Sequence, residues 1–401
     1  AIHWYLENFI FPAHMRHQIT KLSACGQECG GDMLFRRRIG FSGTPSDLLP
    51  LEMGRCGYEK GSDGMMIHTM TSPDIVSYEV VEEGWSVQSL LNRIASAREP
   101  HFNALIDTGA LITGMSNYEV AAFLLDHGLP WCEGVVFLDE FDRKMLLVRA
   151  TRRVVKLAQC GIVANKRFAF YDQIHTTGMD IQHVLNAKAA MTLGKDMVFR
   201  DLAQGAFRMR QIARGQTIHL LVIPEVRDLM GRELRKALPA LSASSEAIVP
   251  AIVNSEVVGN ASPDAVRKVL QDINAWLVIN SMRTERVQFN MLQVQNLTNI
   301  WKKNAYSTLL GSFESFRLSE NENDEIDDPR LVRALAIFSE PIDFSLEAAV
   351  PEPIEFQVSL RHRIEQHRHF ILDTTEERLA NDIVAAVGSS TMLDESMRTL
   401  E

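Results

Sequence analysis

Cysteine is scarce in this chain of 401 residues. Its five thiols, Cys25, Cys29, Cys56, Cys132 and Cys160, are odd in number and scattered. That speaks against a disulfide framework and for a reducing compartment, cytoplasmic or nuclear. Cys25 and Cys29 have no second pair at zinc spacing, so no metal site is assigned. No run of about 18 apolar residues occurs, so no membrane partner is expected. Basic charge is outweighed: 41 Lys and Arg stand against 51 Asp and Glu, a net charge of −10. A protein that coats nucleic acid generally is disfavoured, while a local basic groove stays open. The opening Ala1-Ile2-His3-Trp4 has neither an initiator Met nor a signal-peptide pattern. The chain is therefore expected to be a processed product or a piece of something larger.

What is present is an ordinary globular composition, 46% apolar and 23% charged, with length for about two or three domains. The middle of the chain alternates strand and helix. Ala104-Leu105-Ile106-Asp107 predicts a strand ending in Thr108-Gly109. Ser116 and Glu119 form a capping box for a helix that Gly128 stops. Val135 to Leu138, Phe168 to Tyr171, Ala187 to Leu193 and Ile218 to Ile223 read as further strands. Helices are expected at 154–161 and 202–213. Repeated β-α units predict an α/β fold, a parallel sheet covered on both faces, with the strand C-termini as the ligand edge. After Pro224 the pattern turns helical. Ser262-Pro263 starts a helix expected to run, with interruptions, to about Leu310, and Glu377 to Val387 predicts another. The run 319–328 holds six acids and no base, the signature of a solvated linker.

Three segments carry the functional signal. Residues 36–45 contain Phe41-Ser42-Gly43-Thr44-Pro45, a turn able to bring amides and hydroxyls to a phosphate. Residues 171–181 contain Thr177-Gly178-Met179-Asp180-Ile181, where Gly178 permits close approach and Asp180 can accept from a ribose hydroxyl. Residues 204–216 hold Gln204 with Arg208, Arg210 and Arg214, whose guanidinium forks suit phosphate oxygens. Tight turns, a capped helix start and an exposed basic face are the plainer alternatives. Leu138-Asp139-Glu140 mimics a magnesium-binding strand end, although a turn is the plainer reading. His362, His367 and His369 read as a solvated helix face, and Trp301 beside two lysines as a core tryptophan. A thiol-protease pairing of Cys29 with His14, His17 or His175 has no supporting spacing.

In order and spacing the three segments resemble the later motifs of superfamily-two helicases and SecA-type motors. Residues 41–45 resemble the motif closing a first RecA-like domain. Residues 103–125 resemble the opening unit of the second, 177–181 motif V, and 204–216 motif VI. In motif VI, Phe207 and Arg210 fill the family's glycine positions, and Gln211 its second arginine. Residues 39–50 and 204–216 are also similar to large eukaryotic proteins carrying domains of unknown function, some labelled ubiquitin-cleaving thiol proteases. The resemblance implies the tail of a first RecA-like domain at 1–75 and a second RecA-like domain at 76–225. A helical extension at 226–318, an acidic linker at 319–330 and a small helical region at 331–401 would follow. It implies ATP and Mg in an intact parent, with neither held tightly by this chain, because no Gly-x-x-x-x-Gly-Lys-Ser/Thr occurs. The implied partner is an upstream RecA-like domain, with RNA or protein as substrate. Gly43, Thr44, Thr177, Gly178, Asp180 and Gln204 would line the nucleotide cleft, Thr44 coupling hydrolysis to movement. Residues two apart on a helix point in different directions, so one arginine is expected to enter the cleft. Arg208, which keeps the family's spacing of four from Gln204, is expected to be the arginine finger, and Arg210 to matter less. A catalytically silent scaffold binding RNA or protein, and a segment of a deubiquitinating protease, are the alternatives.

Overall fold

A computed structural model of the chain describes residues 62–98, 100–176, 178–237, 249–254, 262–318, 329–339 and 353–398. Gly43, Thr44, Thr177, Cys29 and the acidic run 319–328 lie outside the described residues. The chain divides into two units, Ala1–Ser281 and Met282–Glu401.

The first unit is built in the order α1 (Ser62–Met70), β1 (Val76–Val80), α2 (Val87–Ser96), β2 (Ala104–Ile106), α3 (Asn117–His127), β3 (Gly134–Leu138), β4 (Lys144–Val148) and β5 (Val154–Lys156). There follow β6 (Arg167–Tyr171), β7 (Lys188–Thr192), α4 (Phe199–Ala206), β8 (Thr217–Val222), α5 (Pro224–Ala237) and the start of α6 (Pro263–Leu318). The sheet has the order β1-β8-β7-β2-β6-β3-β4-β5. Its first six strands run parallel, and β4 and β5 extend it as antiparallel neighbours. The fold is α/β with a mostly parallel sheet.

Strand composition explains the two covered faces. Every residue of Gly134-Val135-Val136-Phe137-Leu138 is buried, as a strand with helices on both sides requires. Leu105, Val135, Phe137, Phe168 and Phe170 pack with Leu90, Leu91 and Ile94 of α2 and Val120 and Leu124 of α3. The alternate residues Ile106, Val136, Ala169, Tyr171 and Leu220 face the other way. There they meet Leu202 of α4, Met230 of α5, and Ile273 and Trp276 of α6. The helical stretch after residue 226 thus contributes α5 and the first part of α6 to the sheet's own core. The box expected at Ser116 and Glu119 caps α3, and Ser86 with Ser89 does the same for α2.

Two expected helices are corrected. Residues 154–161 hold β5 and a short 3-10 turn, Leu157–Gln159, in place of a helix. The β-branched pair Val154-Val155 finds ladder partners in Leu147 and Leu146, and pairing overrides a weak helical spacing. The helix expected over 202–213 runs only from Phe199 to Ala206. Beyond it Arg208, Met209, Ile212 and Arg214 each donate their N–H three residues back, a chain of tight turns that buries Met209 and Ile212. Two strands, β1 and β4, and helices α1 and α2 are elements that the sequence pattern did not suggest.

In the second unit the remainder of α6 is joined by α7 (Pro329–Ser339), α8 (Pro353–Gln366) and α9 (Thr374–Arg398). They share a separate core that includes Leu297, Trp301, Ile337, Leu360 and Val384. Helix α6 is continuous over 56 residues, without the interruptions expected. No helix among the described residues is long and apolar enough to cross a membrane.

Candidate functional site

The topology names one crevice. The chain leaves β2 towards β3 on one side and leaves β7 towards β8 on the other. Adjacent strands whose exits diverge mark the usual ligand crevice of an open parallel sheet. Here protein fills it. Asp107, at the end of β2, is buried and takes three donors: Thr192 Oγ1 at 2.7 Å, and the N–H groups of Leu111 and Ile112 at 2.9 Å each. Thr108 Oγ1 donates to the Thr192 carbonyl at 2.8 Å, and Gly109 N–H to Thr192 Oγ1 at 2.9 Å. A Cβ built on Gly109 would lie 2.6 Å from the Gly194 nitrogen, so only glycine lets these two loops touch. Burial raises the Asp107 carboxyl above its ordinary value, against its three hydrogen bonds, and the charge of Asp172 adds to the rise.

The open part of the ligand edge lies beside it, where the loop after β6 meets the turns after α4. Gly178 takes φ +74° with nothing within 4 Å of its missing Cβ. This left-handed turn is cheap for glycine. Arg208 and Arg210, some 30 residues on, converge on this loop. Arg208 is buried and donates to the Met179 carbonyl and, at 3.5 Å, to that of Gln204. Burial and the neighbouring Arg210 lower its pKa from the usual guanidinium value. Arg210 is more open. Its guanidinium lies 3.3 Å from Asp180 Oδ1 and stacks on the Phe207 ring at 4.2 Å. The structure therefore groups Gly178, Asp180, Gln204, Arg208 and Arg210. The helical argument that ranked Arg208 above Arg210 loses its basis, because neither residue is in a helix.

Several participants were given no role at this site by the sequence. Lys144, on the unexpected strand β4, donates to the Asp180 carbonyl. His175 sits between two carboxylates, Nδ1 at 2.5 Å from Asp172 and Nε2 at 2.8 Å from Asp142. Tyr171 places its hydroxyl 2.9 Å from His183 Nε2. Burial brings the His183 imidazole down to about 4, so it is neutral near pH 7, and it raises the Tyr171 phenol.

Comparison of the chain with protein-family models, curated proteins and solved structures finds no match.

The remaining candidates resolve structurally. Asp139 accepts the N–H groups of Phe141 and Arg143 and pairs with the Arg143 guanidinium at 2.7 Å. It closes the β3–β4 turn, and among the described residues no cluster suits a metal ion. Trp301 is buried, with His367 stacked on it at 4.6 Å. Cys132 is buried, its thiol raised to about 11 chiefly by that burial, far from the thiolate that nucleophilic catalysis needs.

Proposed function

We propose that this chain supplies the second RecA-like domain of a helicase-like or SecA-like motor, contributing to a nucleotide site that a second domain completes. The observation supporting this most strongly is the convergence of the Gly178–Asp180 loop with Arg208 and Arg210 at the C-terminal edge of a parallel sheet. The residues fit a polyphosphate in part. Gly178 leaves room for close approach, Arg210 offers a half-open guanidinium, and Asp180 offers an acceptor for a ribose hydroxyl. The glycine loop and lysine that cradle phosphates are missing from the sequence, so they must come from another domain. The bound nucleotide would supply the phosphoanhydride bond. Arg210 would neutralise charge on the transferring phosphoryl group, and Arg208 would position the loop through the Met179 carbonyl.

A second reading is a catalytically silent scaffold. It is favoured by one fact: Arg208 and Arg210 are both already engaged with protein acceptors.

Turnover by a parent protein that also carries the phosphate-binding loop separates the two. Arg210→Ala is expected to lower ATP hydrolysis roughly 10³-fold with the fold intact. A parent that hydrolyses ATP with Arg210→Ala unchanged would overturn the assignment, and a parent that binds nucleic acid or protein without hydrolysis would support the scaffold. The chain alone is expected to stay at background in a phosphate-release assay with magnesium and RNA.

A further inference from the structure

We infer that His175 is a proton-linked clasp joining the β3–β4 turn to the loop that follows β6. Its ring spans two elements. Asp172 lies three residues before it on its own turn, and Asp142 reaches it from the hairpin across 33 residues of sequence. Both ring nitrogens face carboxylate oxygens, and an ionised carboxylate only accepts. Two such acceptors need two N–H donors, which only the imidazolium has. The neutral ring keeps one, so neutralisation releases one carboxylate. Asp142 is the partner to leave: its side chain is 69% exposed against 19% for Asp172, and its bond is the longer. Asp142 also sits at a left-handed φ of 58°, which Asp and Asn tolerate better than most residues.

The charges around the ring agree in sign. Asp172 and Asp142 face it directly, and the buried Asp107 lies beyond Asp172, close enough to interact with it. The hairpin's cations are committed elsewhere, Arg143 to Asp139 and Lys144 to the Asp180 carbonyl, while Arg210 pairs with Asp180. Burial alone would lower the imidazole, but the hydrogen bonds it donates to Asp142 and Asp172 outweigh it and hold its titration above the ordinary histidine value. The clasp is therefore closed below that ordinary value and opens as pH rises through the raised one. Its second fastening, Lys144 on the Asp180 carbonyl, continues to Asp180 itself. Opening takes away one of the two fastenings and so loosens the segment that bears Gly178 and Asp180. The clasp stands without the nucleotide reading, and only its effect on that site rests on it.

Amide hydrogen exchange on the intact chain, corrected for intrinsic rates from about pH 6 to about pH 9, tests the clasp alongside NMR titration of the His175 ring. Protection over residues 139–144, 173–176 and 178–181 is expected to fall roughly tenfold as His175 loses its proton, the loss of one charge-assisted hydrogen bond. Protection of β2 and β6 should hold. Asp142→Asn changes an exposed residue and removes one charge. It should move the His175 titration down and flatten the step in protection. Protection that ignores pH, or a His175 titration unmoved by Asp142→Asn, would overturn the clasp. ATP turnover enters neither measurement, so the failure of one proposal leaves the other standing.

Discussion

Thr192 does three jobs with one residue. Its hydroxyl donates to Asp107 and accepts from Gly109, while its carbonyl takes the Thr108 hydroxyl. Thr192→Val keeps the shape and removes both hydroxyl bonds, leaving a buried N–H and a carboxylate short of partners. Such losses cost about 1–3 kcal/mol, so the midpoint of urea unfolding should fall accordingly. An unchanged midpoint would mean that water replaces the hydroxyl. Glu79 gives a pH signature at the same scale. Burial works to raise its carboxyl, but the hydrogen bonds from His219 and Arg93 prevail and hold it at about 2, below the ordinary 4.5. The stability it adds is complete above the ordinary value and disappears as pH falls from about 4.5 towards 2. Glu79→Gln should flatten acid unfolding across that window. Equal slopes for the two proteins would show that the bonds from His219 and Arg93 contribute nothing.

Among the elements, α3 shows local chemistry acting alone. Ser116 Oγ accepts the Glu119 N–H at 3.3 Å, and the Glu119 carboxylate accepts the Ser116 N–H at 2.7 Å. Ser116→Ala should lower stability by about 0.5–2 kcal/mol, read from denaturant unfolding, and Ser116→Asp should recover most of it. If Ser116→Asp fails to recover it, the loss did not come from the cap. The β3–β4–β5 meander shows the opposite case. Lys144-Met145-Leu146-Leu147-Val148 has no clear alternation, and β5 is three residues long. Register against β3 decides them: Val135 faces Leu147 and Phe137 faces Met145. Neither strand is stable without that neighbour.

At the scale of the molecule, two sets of cores stand apart. The sheet's two faces draw on residues up to 279, and the helical core begins at Val294. Leu360, fully buried in α8, belongs only to the helical core. Leu360→Ala should cost about 2–5 kcal/mol and lower the transition of the second unit, while hydrogen exchange in β2, β6 and β7 stays as it was. Loss of protection in those strands would show that the two units unfold together.

The sequence by itself determined what short-range chemistry sets. Dense apolar runs made β2, β3, β6, β7 and β8 legible, and a Ser-x-x-Glu box made the start of α3 legible, because burial on two faces and capping leave marks within a few residues. Gly178, Arg208 and Arg210 were legible as residue types that suit phosphate, and Asp180 as an acceptor for a ribose hydroxyl. What they do to one another was not. The burial of Arg208 under the Met179 carbonyl depends on turns that replace the expected helix after Ala206, and their gain is the burial of Met209 and Ile212. Asp142, Lys144 and His175 meet because β6 inserts between β2 and β3, which brings the β3–β4 turn beside the loop after β6. The filled crevice between β2 and β7 likewise pairs residues 85 positions apart. No local pattern records such pairings, since strand order follows from the packing free energy of the whole sheet, and only the tertiary structure decides it.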